Sequence, residues 1–237
     1  MQDVEIQRHY YAESAQRYDE MRAGRDEQAM ALAGAFLDSA IIHLEAQSVL
    51  DIGSGTGRTL RTIKQSHPGI LCMGVEPVAE LREVGYKAGL RADELVAGDA
   101  NQLVYADGEF DIVCEFGVLH HVPNPQKVVG EMLRVARKAI FICDTNNFGQ
   151  GSFLARMLKQ TLNTLRLWPI ADYVKTRGKG YTISEGDGLA YSYSVFNNLG
   201  QIKEACEAVH FLNTVDSGAD LYRTAPGLAV LGVKRLV

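Results

Sequence analysis

The sequence lacks the features that would tie it to a membrane or to an oxidising compartment. No apolar run reaches the roughly 18 residues that a membrane span needs, and residues 1–22 are polar, without an apolar signal-peptide core. No two of the four cysteines, Cys72, Cys114, Cys143 and Cys206, form a C-x-x-C pair, which is typical of buried thiols in a reducing compartment. We therefore expect a cytoplasmic protein without a membrane partner.

The sequence also lacks an excess of positive charge. Its 237 residues contain 24 Lys and Arg against 29 Asp and Glu, which gives a net charge of −5. An acidic chain is poorly suited to hold a phosphate backbone, so we expect no nucleic-acid partner. The length and the 46% hydrophobic content fit one globular domain with an extension. Nothing in the sequence fixes the oligomeric state.

Short apolar runs alternate with helical patterns in the first half of the chain. The runs are "VLDI" (49–52), "ILCMGV" (70–75), "ELVAG" (94–98), "FDIVC" (110–114) and "AIFICD" (139–144). Nearly continuous apolar runs are typical of strands buried on both faces. Helical spacing covers 57–65 and 125–137, and Asn124 followed by Pro125 is a typical start for the second helix. The alternation of strands and helices predicts a parallel sheet with helices on both faces.

The remaining segments extend this pattern. Helical spacing covers 26–44, 152–166 and 199–209, and two more strands are predicted at 211–217 and 228–236. We divide the chain into an N-terminal helical cap (1–45), a cofactor-binding core (46–144), an insertion (145–197) and a C-terminal part of the core sheet (198–237). The insertion is too long for an ordinary connection, so we expect it to form a lid or an acceptor wall.

The stretch "VLDIGSGTGR" ends the first predicted strand in a glycine-rich turn. Gly53, Gly55 and Gly57 permit positive φ and close approach of a ligand, and the turn lies at the carboxyl end of the sheet, where ligands bind. The spacing is G-x-G-x-G rather than the dinucleotide pattern G-x-G-x-x-G. Asp51 precedes the turn, and a carboxylate there suits a cationic ligand or backbone N–H groups better than a pyrophosphate.

Acidic residues end the next two predicted strands. Glu76 in "GVEP" can accept hydrogen bonds from both hydroxyls of a ribose. Asp99 in "GDA" can accept from an exocyclic amine of adenine, while the N–H of Ala100 faces a ring nitrogen. These positions point to an adenine nucleoside at the edge of the sheet.

The stretches "VLDIGSGTG", "GVEP", "GDA" and "FDIVCEFGVLHHV" together resemble the class I S-adenosylmethionine-dependent methyltransferases. The resemblance covers about residues 45–145 and is to the small-molecule type that includes the ubiquinone and menaquinone methyltransferases. It implies S-adenosylmethionine as cofactor. It also implies an α/β, Rossmann-like, doubly wound, mostly parallel seven-stranded sheet with an antiparallel last strand, which "LAVLGVKRL" supplies.

The resemblance implies a set of cofactor-binding residues. The glycine loop approaches the methionine portion, the acidic residue matching Glu76 holds the ribose, and the one matching Asp99 meets adenine. Related enzymes also open with a Tyr- and Asp-containing segment that folds over the cofactor, for which Tyr10, Tyr11 and above all Tyr18 are candidates. The expected residues are Tyr18, Asp51, Gly53, Ser54, Gly55, Gly57, Glu76, Pro77, Asp99, Ala100, Glu115 and Phe116.

Methyl transfer from a sulfonium is an in-line displacement, so the protein must mainly align donor and acceptor and exclude water. A hydroxyl acceptor benefits from a general base, and His120, His121 and Asp144 are the candidates at the mouth of the sheet. Each has a structural alternative, packing for the two histidines and a turn cap for Asp144. We expect O-methylation of a small molecule, with N- or C-methylation left open.

A metal-assisted reaction is a further alternative. Asp144 with Asn146 or Asn147, and with Glu115 one strand away, offers the oxygen ligands that hold Mg²⁺ beside a diol. The spacing does not follow that pattern closely, so no metal is expected. If one is used, EDTA should abolish turnover.

The insertion contains the candidate acceptor residues. Its cations suit a phosphate or carboxylate on the acceptor, and its tyrosines suit a pocket for a sugar or an aromatic ring. A solvated loop and buried core tyrosines are the alternatives. The candidates are Lys175, Arg177, Lys179, Tyr181, Tyr191 and Tyr193.

Two other functional classes stay open on the same architecture. A nicotinamide oxidoreductase would place the third glycine one residue later and would need a hydride-transfer site. A catalytically silent module that binds S-adenosylmethionine would keep the glycine loop and the acidic strand ends.

Overall fold

The computed structural model describes residues 3–22, 27–215 and 218–235. Its strands are β1 (Ser48–Ile52), β2 (Leu71–Val75), β3 (Leu95–Val96), β4 (Phe110–Phe116), β5 (Ala136–Thr145), β6 (Tyr181–Ser184), β7 (Gly188–Tyr191), β8 (Ala208–Asn213) and β9 (Gly227–Val233). Its helices are α1 (Asp3–Ser14), α2 (Tyr18–Arg22), α3 (Glu27–His43), α4 (Arg58–Ser66), α5 (Ala79–Lys87), α6 (Pro125–Val135), α7 (Phe153–Thr164), α8 (Trp168–Lys175), α9 (Leu199–Ala205) and α10 (Leu221–Thr224).

Seven of these strands form one sheet in the order β3-β2-β1-β4-β5-β9-β8. The first five pair in parallel, and β9 lies antiparallel to both β5 and β8. The predicted Rossmann-like sheet with an antiparallel last strand is therefore confirmed. The chain order reverses between β1 and β4, so the loops that follow these strands meet at one crevice, where such sheets bind their ligands.

Apolar side chains bury both faces of the sheet. Along β1, Leu50 and Ile52 pack into the cluster that contains residues of α6, whereas Val49 packs into the cluster that contains residues of α3 and α4. All five residues of β1 are buried. This two-sided burial is the reason that the strands appear in the sequence as continuous apolar runs rather than as alternating ones.

Several element boundaries differ from the predicted ones. Helix α9 ends at Ala205 rather than at residue 209, because Cys206 is extended (φ −119°, ψ 143°) and β8 begins two residues later. The strand predicted at 211–217 therefore starts earlier, and residues 216–217 lie outside the described part of the chain. The start of α6 agrees with its prediction, since the Asn124 side chain accepts a hydrogen bond from the N–H of Lys127.

The insertion folds as two helices and a hairpin. Helices α7 and α8 are followed by β6 and β7, which pair with each other and stand apart from the main sheet. Strand β7 lies against α1, so the N-terminal cap and the insertion meet above the mouth of the sheet. Across the described residues, none of the helices combines the length and the apolar character needed to cross a membrane.

Candidate active site

The loop after β1 holds its glycines in a conformation that few other residues adopt. Gly53, Gly55 and Gly57 have φ values of 63°, 56° and 71°, in the left-handed region. A Cβ atom on Gly53 would lie 2.5 Å from Val118, and one on Gly55 would lie 3.2 Å from the ring of Tyr18. The turn and its close neighbours thus require glycine, as the sequence pattern predicts, and the bare backbone faces the crevice.

Glu76 connects the end of β2 to this glycine loop. The N–H groups of Gly55 and Val78 each donate to its carboxylate at 2.9 Å. Burial raises the pKa of Glu76, although these two hydrogen bonds oppose the shift. A carboxylate has about four acceptor positions, so two remain that can accept hydrogen bonds from the hydroxyls of a ribose.

Two further carboxyl groups are buried near the loop. Burial raises the pKa of Asp51 to about 7, against the opposing hydrogen bonds of Ser54 and Cys114. Burial, and then the neighbouring Asp144, raise the pKa of Glu115, whose Oε1 has no hydrogen-bond partner among the described residues. Buried carboxylates without a counter-ion are costly. Asp51 borders the crevice, so a ligand that brings positive charge to the end of β1 relieves this cost there, whereas Glu115 has the charged His120 as its neighbour.

Asp99 lies at the edge of the crevice, beyond β3. Its Oδ1 accepts two hydrogen bonds from Asn101, and its Oδ2 accepts one from Arg8 on α1, each at 2.8 Å. Burial raises the pKa of Asp99, but these hydrogen bonds outweigh burial, and the pKa lies below its ordinary value. The Arg8–Asp99 pair is nearly half exposed, so it contributes little stability and an adenine amine can replace the arginine.

The N-terminal tyrosines divide into two groups. The ring of Tyr18 packs on Gly55, beside the loop, as expected for a residue over the cofactor. Tyr11 stacks edge-on against Tyr18, and its hydroxyl lies 2.9 Å from Nε2 of His121. Tyr10 points elsewhere, since its hydroxyl accepts a hydrogen bond from the N–H of Gly186 in the hairpin turn.

His120 and Asp144 form a buried ion pair. The Nδ1 atom of His120 lies 2.6 Å from Oδ1 of Asp144, and Oδ2 of Asp144 accepts the N–H of Leu119 at 2.8 Å. Burial alone would lower the pKa of His120, but Asp144 and then Asp187 outweigh it and raise this pKa to about 10. At neutral pH His120 therefore carries a positive charge, and Asp144 holds it in place.

His121 has the opposite charge state. Its Nδ1 lies 2.6 Å from the carbonyl oxygen of Leu189, which can only accept, and 3.1 Å from Nε2 of Gln7, which can only donate. The shorter contact, to the carbonyl, assigns the proton to Nδ1, and the Gln7 amide donates to the Asp187 carbonyl instead. The Nε2 atom is then the acceptor for the Tyr11 hydroxyl. Burial, and then the charge of His120, lower the pKa of His121 to about 3. The site thus places a neutral imidazole with an available lone pair beside a charged one, their ring centroids 3.8 Å apart.

Asp187 joins these two histidines from the hairpin turn. Its carboxylate oxygens lie 3.5 Å from Nε2 of His120 and 3.7 Å from Nε2 of His121. Ligand atoms of these three residues all lie within 4.8 Å of one another, a spacing that can hold a metal ion. This group differs from the predicted alternative, in which Asn146 takes part. The side-chain amide of Asn146 instead donates to backbone carbonyls of residues 221, 222 and 225.

Two cavities adjoin the glycine loop. The smaller is bordered by Glu76, Asp99, Ala100 and His121. The larger, of about 530 Å³, lies between α3 and α4 and reaches Asp51 and Ser54. The residues that border both are Tyr18, Gly53 and Phe116. Most of the predicted cofactor residues, Pro77 included, therefore surround one connected region. No residue of the insertion, 145–197, borders either cavity.

The three predicted acceptor cations lie away from this region. The Nζ atom of Lys175 donates to Ser192 at 3.1 Å and lies 3.8 Å from Asp172. Arg177 and Lys179 are exposed in the turn that follows α8. The hairpin, and not this turn, extends towards the histidines, and contact of these three residues with an acceptor stays a prediction.

The predicted acceptor tyrosines also have other partners. Tyr193 is buried in the core with its hydroxyl donating to Asn198 at 2.9 Å, because β7 ends at Tyr191 and the chain then turns inward. Tyr191 donates to Asp3 of α1 at 3.1 Å and packs edge-on against Tyr181 across the hairpin. These contacts give the tyrosines structural partners, and a tyrosine-lined acceptor pocket stays a prediction.

Gln7, a buried residue that links the cap to the insertion, was missed by the sequence analysis. Gln7 on α1 is buried, its side-chain oxygen accepts the N–H of Leu189 at 2.5 Å, and its nitrogen donates to the carbonyl of Asp187 at 3.1 Å. These residues lie 180 or more positions apart. No local motif marks such a contact, although Asp187 itself stands out as an acidic residue in a glycine-rich turn.

Comparison with known proteins supports the resemblance to methyltransferases. Residues 50–143 match the model of a methyltransferase domain. The chain is 36% identical over 97 residues to norajmaline N-methyltransferase of Rauvolfia serpentina, covering 38% of this chain and 32% of that protein. It is 28% identical over 128 residues to phosphatidylethanolamine N-methyltransferase of Cereibacter sphaeroides, covering 47% and 56%. The chain thus spans from about a third to just over half the length of these two relatives.

Solved structures share the fold over nearly the whole chain. Magnesium protoporphyrin IX methyltransferase from Synechocystis PCC 6803, solved with SAH, aligns with a TM-score of 0.60 at 14% identity and covers 99% of this chain and 100% of that one. A SAM-dependent methyltransferase from Thermotoga maritima aligns with a TM-score of 0.58 at 20% identity and covers 96% and 99%. The predicted fold class is confirmed, and the match of residues 50–143 confirms the predicted resemblance to methyltransferases.

Proposed function

We propose that this chain, a class I S-adenosylmethionine-dependent methyltransferase, transfers its methyl group to a hydroxyl of a small molecule, with His121 accepting the proton. The observation that carries this proposal is the pair of adjacent histidines in opposite charge states. His121, the neutral one, borders the cavity that also contains Glu76 and Asp99. His120 carries the charge and is held by Asp144.

When bound, S-adenosylmethionine supplies a methyl group on a positively charged sulfur. The buried carboxyl group of Asp51 suits that charge, and the glycine loop permits close approach. Glu76 and Asp99 orient the nucleoside end. These residues align the donor and exclude water, which accounts for much of the rate of an in-line displacement.

The acceptor side must remove one proton. A hydroxyl oxygen that takes a methyl group becomes strongly acidic, so a weak base is sufficient for its proton. Nε2 of His121 is available because Nδ1–H is fixed on the Leu189 carbonyl, and the Tyr11 hydroxyl marks the place that an acceptor hydroxyl takes. His120 is protonated and held by Asp144, so it has no free lone pair with which to take this proton. C-methylation also releases a proton, from the acceptor carbon, whereas a neutral amine can take the methyl group without a base in this position.

The test compares His121→Gln with His210→Gln, an exposed histidine of β8. Acceptors are found by following SAH release over a set of small hydroxylated and amino compounds. We expect kcat with a hydroxyl acceptor to fall about 10²- to 10⁴-fold in His121→Gln and to stay unchanged in His210→Gln, with the affinity for S-adenosylmethionine kept in both. Turnover of wild type in EDTA should be unchanged, since the histidine pair acts without a metal.

The pH profile separates the two histidines. A base whose pKa is near 3 gives a kcat that is flat from weakly acidic to weakly alkaline pH. A kcat that instead rises towards pH 10 would assign the proton transfer to His120, and turnover of amines alone would overturn the proposed hydroxyl acceptor.

A further inference from the structure

The two helices of the insertion expose their apolar side chains to solvent. Six large side chains of α7 and α8 are between 49% and 75% exposed, namely Phe153, Leu154, Met157, Leu158, Ile170 and Val174. We call these six residues the α7–α8 apolar surface. Within each helix they follow helical spacing, so they form stripes rather than scattered positions. Neither helix contains a buried residue.

The polar side of α7 faces the protein instead. The side chain of Gln160 donates to the carbonyl of Phe148 at 2.9 Å, and that of Asn163 donates to the hydroxyl of Tyr222 at 2.7 Å. The ammonium group of Lys159 donates to the carbonyl of Asn147. These hydrogen bonds fix the orientation of the helix. Helix α7 therefore has the reverse of the usual arrangement, in which apolar residues face the core as Leu60 does in α4.

The charge of this segment is opposite to that of the rest of the chain. Residues 152–180 contain six basic residues and one acidic residue, a net charge of +5, whereas the whole chain carries −5 and the remainder therefore −10. The basic residues are Arg156, Lys159, Arg166, Lys175, Arg177 and Lys179. The acidic average of the chain, from which we expect no nucleic-acid partner, conceals this local reversal.

We propose that the α7–α8 apolar surface docks on the surface of an anionic lipid bilayer. Exposed apolar stripes combined with surrounding Lys and Arg are the signature of interfacial helices, which lie in the headgroup region without crossing it. Helices of 12 and 8 residues are too short to span a bilayer. Trp168 at the start of α8, with Lys175 6.0 Å from its ring, is a residue type enriched at membrane interfaces.

A second copy of the chain fits this surface less well. Face-to-face pairing would bring two segments of net charge +5 together, and their repulsion would oppose the burial of the apolar stripes. An anionic bilayer supplies apolar and negatively charged material at once. Charge complementarity therefore selects the bilayer as the occupant.

The experiment is co-sedimentation of the full chain with two kinds of vesicle, phosphatidylcholine alone and phosphatidylcholine mixed with phosphatidylglycerol. We expect binding to the mixed vesicles only, weakening in high salt because the charges are exposed. The double variant Leu154→Gln/Leu158→Gln should lower the partition about tenfold or more, since two apolar side chains no longer enter the interface. The matched control is Ile42→Gln, which replaces a residue of α3 that is 63% exposed, close to the 61% of Leu158.

A second pair of variants keeps the test independent of the apolar substitutions. Lys175→Gln/Lys179→Gln should weaken binding to the mixed vesicles several-fold, whereas Lys203→Gln on α9 should not. Circular dichroism and S-adenosylmethionine binding report that each variant is folded, and neither readout depends on the acceptor. Failure of wild type to bind mixed vesicles would overturn the proposal. A concentration-dependent dimer that Leu154→Gln/Leu158→Gln abolishes, without vesicle binding, would reassign the surface to self-association.

Discussion

The cofactor crevice and the insertion occupy the same end of the sheet but are built differently. In the crevice, the contacts of the glycine loop and of the acidic strand ends with one another lie within a short motif or between neighbouring strand ends, as in the 21-residue separation of Gly55 and Glu76. In the insertion, the contacts that reach the site join residues far apart, as in the 182-residue separation of Gln7 and Leu189. The difference teaches that the donor half of this site is encoded locally, while the acceptor half is assembled by the tertiary fold.

The largest effect is expected in the locally encoded half. Glu76→Ala removes the acceptor of the Gly55 and Val78 N–H groups and the candidate ribose ligand. We expect the affinity for S-adenosylmethionine, measured by titration calorimetry, to fall about 10- to 100-fold, as for loss of hydrogen bonds to a charged group. Glu80→Ala, at an exposed position of α5, is the control. Unchanged affinity in Glu76→Ala would place the ribose elsewhere.

The fold and the donor half were accessible from the sequence for a physical reason. Strands buried on both faces appear as continuous apolar runs, and a turn that needs positive φ at Gly53, Gly55 and Gly57 tolerates little besides glycine. Carboxylates at the ends of buried strands stand out in the sequence because burying a charge without a partner costs free energy. The end of α9 was misjudged because helical spacing continues past Cys206 in the sequence, while the backbone becomes extended there.

The acceptor half could not be predicted from the sequence in this way. The expected Lys175 and Tyr193 carry suitable chemistry, but which side of the insertion faces the histidines depends on how the hairpin packs on α1. Asp187 reaches the histidines through that packing, and Tyr193 turns into the core. The charge states of His120 and His121 likewise depend on partners from three separate elements. The sequence "LHH" does not reveal these partners, so both histidines stay candidate bases at the level of sequence.

A second, smaller effect tests the electrostatics of the donor half. The pKa of Asp51 lies at about 7 in the protein alone, so the carboxyl group is mostly protonated at pH 6 and mostly ionised at pH 8. A cationic ligand favours the ionised form, and the affinity for S-adenosylmethionine should rise as pH increases through 7. If only the ionised form binds well, the gain between these pH values is about tenfold.

The control for this effect is Asp51→Asn, which removes the titrating group and keeps the size of the side chain. Its affinity should be low and should vary little over the same pH range. A wild-type affinity that falls with rising pH would show that Asp51 does not face the positive charge of the cofactor. Calorimetry in buffers of different ionisation enthalpy measures the proton released on binding near pH 7.

The smallest effect on the cofactor is expected from the tertiary contact that assembles the acceptor half. Gln7→Leu leaves the N–H of Leu189 without its acceptor and loosens the hairpin on α1, where the contacts of Tyr10 and Asp3 remain. We expect a loss of about 1–3 kcal/mol in the free energy of unfolding for an unsatisfied buried group, with faster hydrogen exchange over 181–191. The affinity for S-adenosylmethionine should change less than threefold, whereas KM for the hydroxyl acceptor should rise. A large loss of cofactor affinity would mean that the hairpin helps to form the donor half, and the division between the two halves would have to be abandoned.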